Sequence, residues 1–574
     1  VYSSSDYHVG GVLWDGDLII VGARDGLLAS NDGGDTFLPV AATGIPATEA
    51  IVSMAGAKEG RTIRLLAVTL SADDVYPLVT GGDMWGYQGI YRLDWGAWSW
   101  TPVTTGIPAP AHPFFVAMAM NDIDTAYVAG GSTSLSHPIV YKSGSGGDED
   151  WWYGEYALGF AVSPVDANRV VFTDLGYAHV SDDGGISWRQ AYVDPADQNP
   201  PGSATPQGGA YRGVGLEDTS VWWLHWPDSS TIVAAFTDIR GTRSTDGGVH
   251  WSAGSSLGLP HNTTYHVVEH PVTGTLYAAT SSVHDLYQST YLQDGRIDGG
   301  DGEIVYSVDN GASWDTLHDF NHPVIWLAFD PNDSDTLYAS VVHSTAGDVF
   351  VTHNLNVGSS ATWARLASPP RTEGHPYNIR VLDDGALLAT YSGRRNAAGA
   401  FTQSSGVFLS TNGGTSWLDR SDPGMLRWTK DVVVDPHDPA QSTWYVGVYS
   451  HWGSPPNEVG GLYRTTDRGS SWERISDLYR VESCTVDPDT PGTAWITTET
   501  QGLWRTPDLN DPAPTFAQDP YYPFREPLRV FFNPYDHGEL WVTSFGNGLR
   551  VSSGVLFVDG FESGAHSAWS AVVP

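Results

Sequence analysis

The stretch Ser181-Asp182-Asp183-Gly184-Gly185-Ile186-Ser187-Trp188 decides the fold, because it does not stand alone. It returns as Ser244-Thr245-Asp246-Gly247-Gly248-Val249-His250-Trp251, as Ser307-Val308-Asp309-Asn310-Gly311-Ala312-Ser313-Trp314 and as Thr465-Thr466-Asp467-Arg468-Gly469-Ser470-Ser471-Trp472. Two more copies differ at one position: residues 30–37 end in Phe37, and residues 410–417 carry Asn412 where the others carry Asp. Six copies of one pattern mean a repeat architecture, in which a single supersecondary unit recurs along the chain. Each copy reads as a tight hairpin. The Asp or Asn side chain accepts hydrogen bonds from nearby backbone N–H groups, glycine supplies the positive φ that the turn requires, and Trp buries a large apolar area.

A second signature lies between these hairpins: a polar turn, an apolar strand, then a shorter strand that leads into the box. Residues 332–339, 273–278 and 492–496 show it. It exposes degenerate repeats in which residues 90–93 lead to Trp98, 139–142 to Trp151, 349–352 to Trp363 and 502–505 to Phe516, and residues 548–551 close the last unit. The count is eleven units of about 52 residues, each fitting a four-stranded blade. The expectation is an all-β chain, a β-propeller built from about eleven four-stranded blades over residues 1–558, with a C-terminal tail over 559–574. Eleven exceeds the usual blade number of one ring, so two packed rings are favoured over one large ring, with no boundary assignable.

The recurring octapeptide resembles the Asp-box, or BNR repeat, of sialidase-like β-propellers, glycoside hydrolase family 74, sortilin Vps10-type domains and photosystem II assembly propellers. What the resemblance implies is the fold; one such fold hosts many activities. It also implies that Asp32, Asp183, Asp246, Asp309 and Asp467 are structural. A sialidase would need an early Arg-Ile-Pro motif, and family 74 opens on a glycine-rich motif of which Val9-Gly10-Gly11-Val12 is a faint echo. Sortilin-type proteins carry a cysteine-rich module, absent from this chain. The tail, residues 559–570, resembles a short segment on secreted proteins of several Gram-negative lineages.

Composition narrows the partners. Net charge is −38, with Lys58, Lys142 and Lys430 the only lysines. Such a surface repels nucleic acid and anionic membranes at long range. No apolar run reaches membrane-spanning length. The single cysteine, Cys484, allows no intrachain disulfide and reads as a small core residue. The start, Val1-Tyr2-Ser3-Ser4-Ser5, reads as a processed terminus. The expected location is secreted or cell surface.

In a four-stranded meander the box lies between the third and fourth strands, while second-to-third loops and links between blades lie on the opposite edge. Insertions fall on that opposite edge, where loops carry binding groups. They supply the expected ligand contacts Trp85, Tyr87, Tyr287, Arg394 and Trp452, and three candidate catalytic acids: Asp83, Asp285 and Glu458. Aromatic platforms mixed with acids suit sugar rings, and peptides too. The functional reading is a glycan-recognising propeller, a glycoside hydrolase if an enzyme; the alternative is a non-catalytic propeller that binds an extracellular protein or forms a structural assembly. Residues 294–303 hold four carboxylates, Asp294, Asp298, Asp301 and Glu303, among glycines. Two readings stay open there, a calcium site and a solvated acidic loop; the spacing is not that of an EF-hand. No other cofactor is required. His112-Pro113, His322-Pro323 and His375-Pro376 share one position at the start of an expected innermost strand, a turn residue or a metal ligand by type.

Overall fold

A computed structural model describes residues 8–24, 26–72, 86–132, 139–142, 145–148, 157–174, 178–199, 206, 208–214, 219–252, 257–286, 292–450, 458–520, 522, 524, 526–553 and 572–573. Strands dominate. The helical segments described are the short turns Asp294–Ile297, Leu355–Ser360 and Pro423–Met425. None is long and apolar enough to cross a membrane. The chain divides into two compact units, residues 1–192 and 193–574.

The first unit contains four antiparallel four-stranded sheets, beginning with the strands Val9–Asp15, Glu49–Glu59, Ala111–Met118 and Gly159–Ser163. Among the described residues the second contains, besides one two-stranded parallel pair, seven sheets of four or five strands, whose innermost strands are Val221–His225, Thr263–Glu269, Val324–Asp330, Pro376–Val381, Thr429–Val434, Val481–Val486 and Pro527–Asn533. The first of the seven gains an outer fifth strand, Ala210–Tyr211. The seventh sheet packs back on the first: Trp541 meets Trp226 and Trp251 at ring distances of 6.1 and 6.3 Å, and the Gly548 N–H donates to Thr219 O at 3.1 Å. Residues 193–574 thus form a closed circuit of sheets, with apolar side chains buried between each neighbouring pair.

The box hairpins form for local reasons. In residues 181–188 the Ser181 hydroxyl donates to Asp183 Oδ1 at 2.8 Å and accepts from the Gly185 N–H at 2.7 Å. Asp183 also accepts from the N–H of Ser187 at 2.9 Å and from its hydroxyl. These donors, led by the Ser187 hydroxyl, hold the Asp183 carboxyl down to about 2; the Ser30 and Thr36 hydroxyls and the Thr36 N–H do the same for Asp32. Gly184 and Gly185 take φ of +79° and +85°, conformations strained for a side-chain-bearing residue. Asn412 keeps the pattern as an amide: its Oδ1 accepts from the Ser416 N–H at 3.0 Å, and its Nδ2 donates to the Ser416 hydroxyl at 2.8 Å. Two degenerate repeats prove to be stretched boxes. Asn354 Oδ1 accepts from Thr362 N–H at 3.0 Å and Asp508 Oδ1 from Thr515 N–H at 2.8 Å, across eight and seven residues instead of four.

One irregularity repeats in all seven sheets of the second unit. The pairing of the innermost strand with its neighbour slips near its start, where the register skips Trp222, Tyr265, Ile325, Tyr377-Asn378, Lys430-Asp431, Glu482 and Leu528. A bulge adds a residue to one strand, bends it and re-aims its side chain. Because innermost strands of successive sheets pack on one another, seven bulges at one level bring these side chains together.

Candidate functional site

Six of the bulge residues, Trp222, Tyr265, Ile325, Tyr377, Glu482 and Leu528, line one cavity of about 30 Å³, with Leu286, Trp326 and Arg529 completing its wall. That volume is about one water's share of the liquid. Trp222 and Tyr377 are half-buried; Tyr265, Ile325 and Glu482 are buried. Two aromatic rings therefore stand at a rim above a polar floor. The rim lies toward the start of the innermost strands. That is the edge of the second-to-third loops and blade links, opposite the box turns.

The floor is charged. Lys430 Nζ lies 3.2 Å from Glu482 and stands over the rings of Tyr449 and Tyr377 at 5.1 and 5.7 Å. The Tyr449 hydroxyl donates to Glu482 Oε1. Burial raises the Glu482 carboxyl to about 7; Lys430 pulls it down and nearby Glu499 pushes it up. Desolvation outweighs the ammonium here, so the carboxyl takes up and releases a proton near neutrality. One layer along, Arg529 pairs with Asp431 at 2.5 Å, and Asp431 accepts from Asn378 Nδ2 and, at 2.9 Å, from the Ser483 hydroxyl. The Arg529 guanidinium stands 5.1 Å over Trp223 and 5.6 Å over Trp326. Each of these partners comes from a different sheet.

The residues expected from sequence are distributed unevenly. Asp83, Trp85, Tyr287 and Trp452 lie outside the described residues. Tyr87, in the first unit, is half-buried among Ala50, Val52 and Leu70, where burial pushes its hydroxyl up to about 12. It is a packing residue there. Asp285 sits beside the cavity wall residue Leu286, whose N–H donates to the Tyr265 hydroxyl at 2.8 Å. Its φ is +53°, rare for a residue with a side chain. His284 Nδ1 holds Asp285 Oδ2 at 2.8 Å, while Oδ1 is buried without a hydrogen-bond partner. Glu458 is exposed on the corresponding loop of the fifth sheet, three sheets away, with its carbonyl taking Arg474 Nη1 at 2.6 Å.

The carboxylates of the acidic loop each meet protein partners. Asp294 accepts two hydrogen bonds from Arg394, at 2.9 and 2.7 Å, and Arg394 also pairs with Glu373. The expected metal ligand and the expected ligand-binding arginine thus pair with each other, clamping two loops that share the parallel pair Leu292–Gln293 and Arg394–Arg395. Asp298 caps Ser344 at 2.9 and 2.6 Å, Asp301 accepts from its neighbour Gly302, and Glu303 lies 3.5 Å from His261. The four carboxylates face different partners. Among the described residues no three His, Cys, Asp or Glu side chains gather as a metal site, the His-Pro histidines included.

Sequence reasoning missed the axial cluster. Its signal was available: Lys430-Asp431 and Glu482 are charges near the start of otherwise apolar strands, one residue beyond the position that His-Pro occupies in neighbouring repeats.

No protein-family model and no curated protein sequence matches the chain. Solved structures do. The chain is similar to a GH74 xyloglucanase from Xanthomonas campestris over 95% of its own length and 74% of that chain, with a TM-score of 0.53 and 16% identity. It is similar to the GH74 enzyme of Niastella koreensis over the same shares, with a TM-score of 0.51 and 13% identity. Identity this low speaks for the fold alone, and with the four-stranded sheets above it gives the chain a β-propeller fold.

Proposed function

We propose that this propeller recognises a neutral glycan outside the cell, at the rim formed by Trp222 and Tyr377 over the Glu482–Lys430 floor. The observation that carries the reading is Asp285. A non-glycine residue in the left-handed region, with one carboxylate oxygen buried and unpartnered beside an aromatic rim, is strain of the kind held at ligand sites. A sugar hydroxyl satisfies that oxygen, while the rings offer faces for the apolar side of a pyranose. A chain of net charge −38 disfavours polyanionic glycans, so a neutral polysaccharide fits best. Cleavage is the finer part of the proposal, with Asp285 and Glu458 as the acids within the described residues and Asp83 as the third candidate.

The test is affinity electrophoresis against neutral polysaccharides, paired with a reducing-end assay. Trp222→Ala and Asp285→Asn are each expected to weaken retention by about tenfold or more, roughly the value of one stacked ring or one charged hydrogen bond. Retention unchanged in both variants overturns the site. Retention without new reducing ends in the unaltered protein removes the cleavage and leaves the binding.

A further inference from the structure

The second unit has another cavity, at the other end of the same axis. It measures about 310 Å³ and is walled by Trp223, His266, Trp326, Phe329, Arg380 and Val434, among others. Val268, Phe329, Val381 and Val434 are half-buried, so this end opens to solvent on the side of the box turns. The volume is that of about ten waters, room for a small ring compound.

Its polar side chains are few, His266, Arg380 and Gln441, and Arg380 brings the charge. His266 is 3% exposed and stacks on Trp326 at 4.0 Å. Its Nδ1 accepts from the Leu327 N–H at 3.3 Å, so in the neutral ring the proton sits on Nε2. Burial, then Arg529, Arg380 and His225, hold the ring neutral by lowering its pKa well below the ordinary value. The Nε2 donor is buried and has no hydrogen-bond partner. Arg380 gives its Nε to Val432 O at 3.1 Å, and among the described residues no carboxylate forms an ion pair with it. Asp431, the carboxylate that acts on both guanidiniums, is already held by Arg529 at 2.5 Å, by Asn378 and by Ser483. Glu269, on the strand that carries His266, is held by His225 at 3.0 Å. Two guanidiniums thus share one carboxylate at the axis of a protein that carries a net charge of −38. Arg380 is half-buried, and a cation partly withdrawn from water without a carboxylate of its own favours an anion that comes to it.

We propose that this cavity is a binding site for a small organic monoanion with a flat apolar body, its acid group taken by Arg380 and His266 Nε2–H and its body set against Trp223, Trp326 and Phe329. The guanidinium suits a carboxylate, whose two oxygens match its fork of donors. The aromatic wall gives the body an apolar surface to cover. The site is independent of the glycan rim, lies at the opposite end of the axis and shares with that rim only the Trp326 ring and, through Asp431, the Arg529 charge.

The experiment is isothermal titration of the full chain with sodium benzoate, benzamide and inorganic phosphate. Benzoate is expected to bind saturably with one site. Benzamide, of the same shape without the charge, is expected to bind about tenfold more weakly or less, and phosphate, without the apolar body, weaker than benzoate as well. Arg380→Gln is expected to bring benzoate down to the benzamide level, and Arg380→Lys to recover part of the difference. Should Arg380→Gln fail to give the all-β circular dichroism of the parent, the benzoate-to-benzamide ratio in the unaltered protein decides. Equal affinity for the two, benzoate binding untouched by Arg380→Gln, or no saturable benzoate binding up to about 10 mM overturns the proposal. Phosphate binding as tightly as benzoate overturns the apolar part of it.

Discussion

The box turns and the axis of the second unit both depend on carboxylates, and they satisfy them by opposite means. Asp183 finds all its donors within six residues of itself, in Ser181, Ile186 and Ser187, and remains largely in contact with water. Asp431 takes one partner each from strands that lie 98, 53 and 52 residues away, Arg529, Asn378 and Ser483, and is 1% exposed. A hairpin carboxylate is satisfied as soon as its turn forms. The axial one is satisfied only when several sheets have closed round it. The first kind of interaction shapes a blade; the second ties blades to one another.

That contrast is broken most severely by Asp431→Ala. It strands the Arg529 guanidinium in a buried layer and leaves Arg380 with no carboxylate in reach. Losing one partner of a buried pair costs about 3–5 kcal/mol, and that is the expected loss in a guanidinium chloride titration followed by tryptophan fluorescence. A loss below about 1 kcal/mol would make the axial network no more coupled than a box turn.

The pH dependence sharpens the same contrast, because the two regions titrate in opposite directions. The Glu482 carboxyl is raised from its ordinary 4.5 to about 7 by burial. In the window between those values the folded chain keeps a proton that the unfolded chain has released. The contribution is fully present below the unfolded value and is lost as pH rises through the folded one, on the order of 1–3 kcal/mol in all. Asp32 and Asp183 run the other way: their folded values lie at about 2, so what they contribute is present above the unfolded value and lost as pH falls. Unfolding midpoints taken from pH 5 to 7.5 are expected to fall in the parent and to flatten over that window in Glu482→Gln. A slope that survives the substitution assigns the proton to another group.

The same division governs what could be read from the sequence. The box closes over four residues, so its residue types sit side by side in the chain, and six copies made the fold legible. Where the closing residue is displaced, as in Asn354 to Thr362, the pattern dissolves although its hydrogen bonds survive. The bulges were not legible, since a slip of register is a relation between two strands and leaves no mark on either alone. Nor was the pairing of Asp294 with Arg394 legible: the two lie 100 residues apart, and nothing in the sequence signals that they meet. Asp285 stood out in the sequence as an acid in a loop on the edge opposite the box turns; its positive φ was visible only in three dimensions.

The smallest expected effect tests what the box carboxylate supplies. If the hairpin needs an acceptor at one oxygen and a second polar atom at the other, charge is incidental, and Asn412 is the natural experiment, since it meets both needs as an amide. Asp309 makes the corresponding contacts with the Ser313 N–H at 2.9 Å and with its hydroxyl at 2.6 Å. Asp309→Ala removes both acceptors and is expected to cost about 0.5–2 kcal/mol, as loss of a helix cap does. Asp309→Asn and the reciprocal Asn412→Asp are expected to stay within about 0.5 kcal/mol of the parent near neutral pH, the range of an ordinary surface change. The Ser313 and Ser416 hydroxyls reverse their hydrogen bonds by rotation, which a hydroxyl does freely. Only Asn412→Asp adds a titrating group, so it alone should acquire an acid-side loss of stability below pH 4. A neutral-pH penalty for Asp309→Asn as large as that for Asp309→Ala would show that the charge itself holds the turn, and Asn412 would then mark the weakest of the boxes.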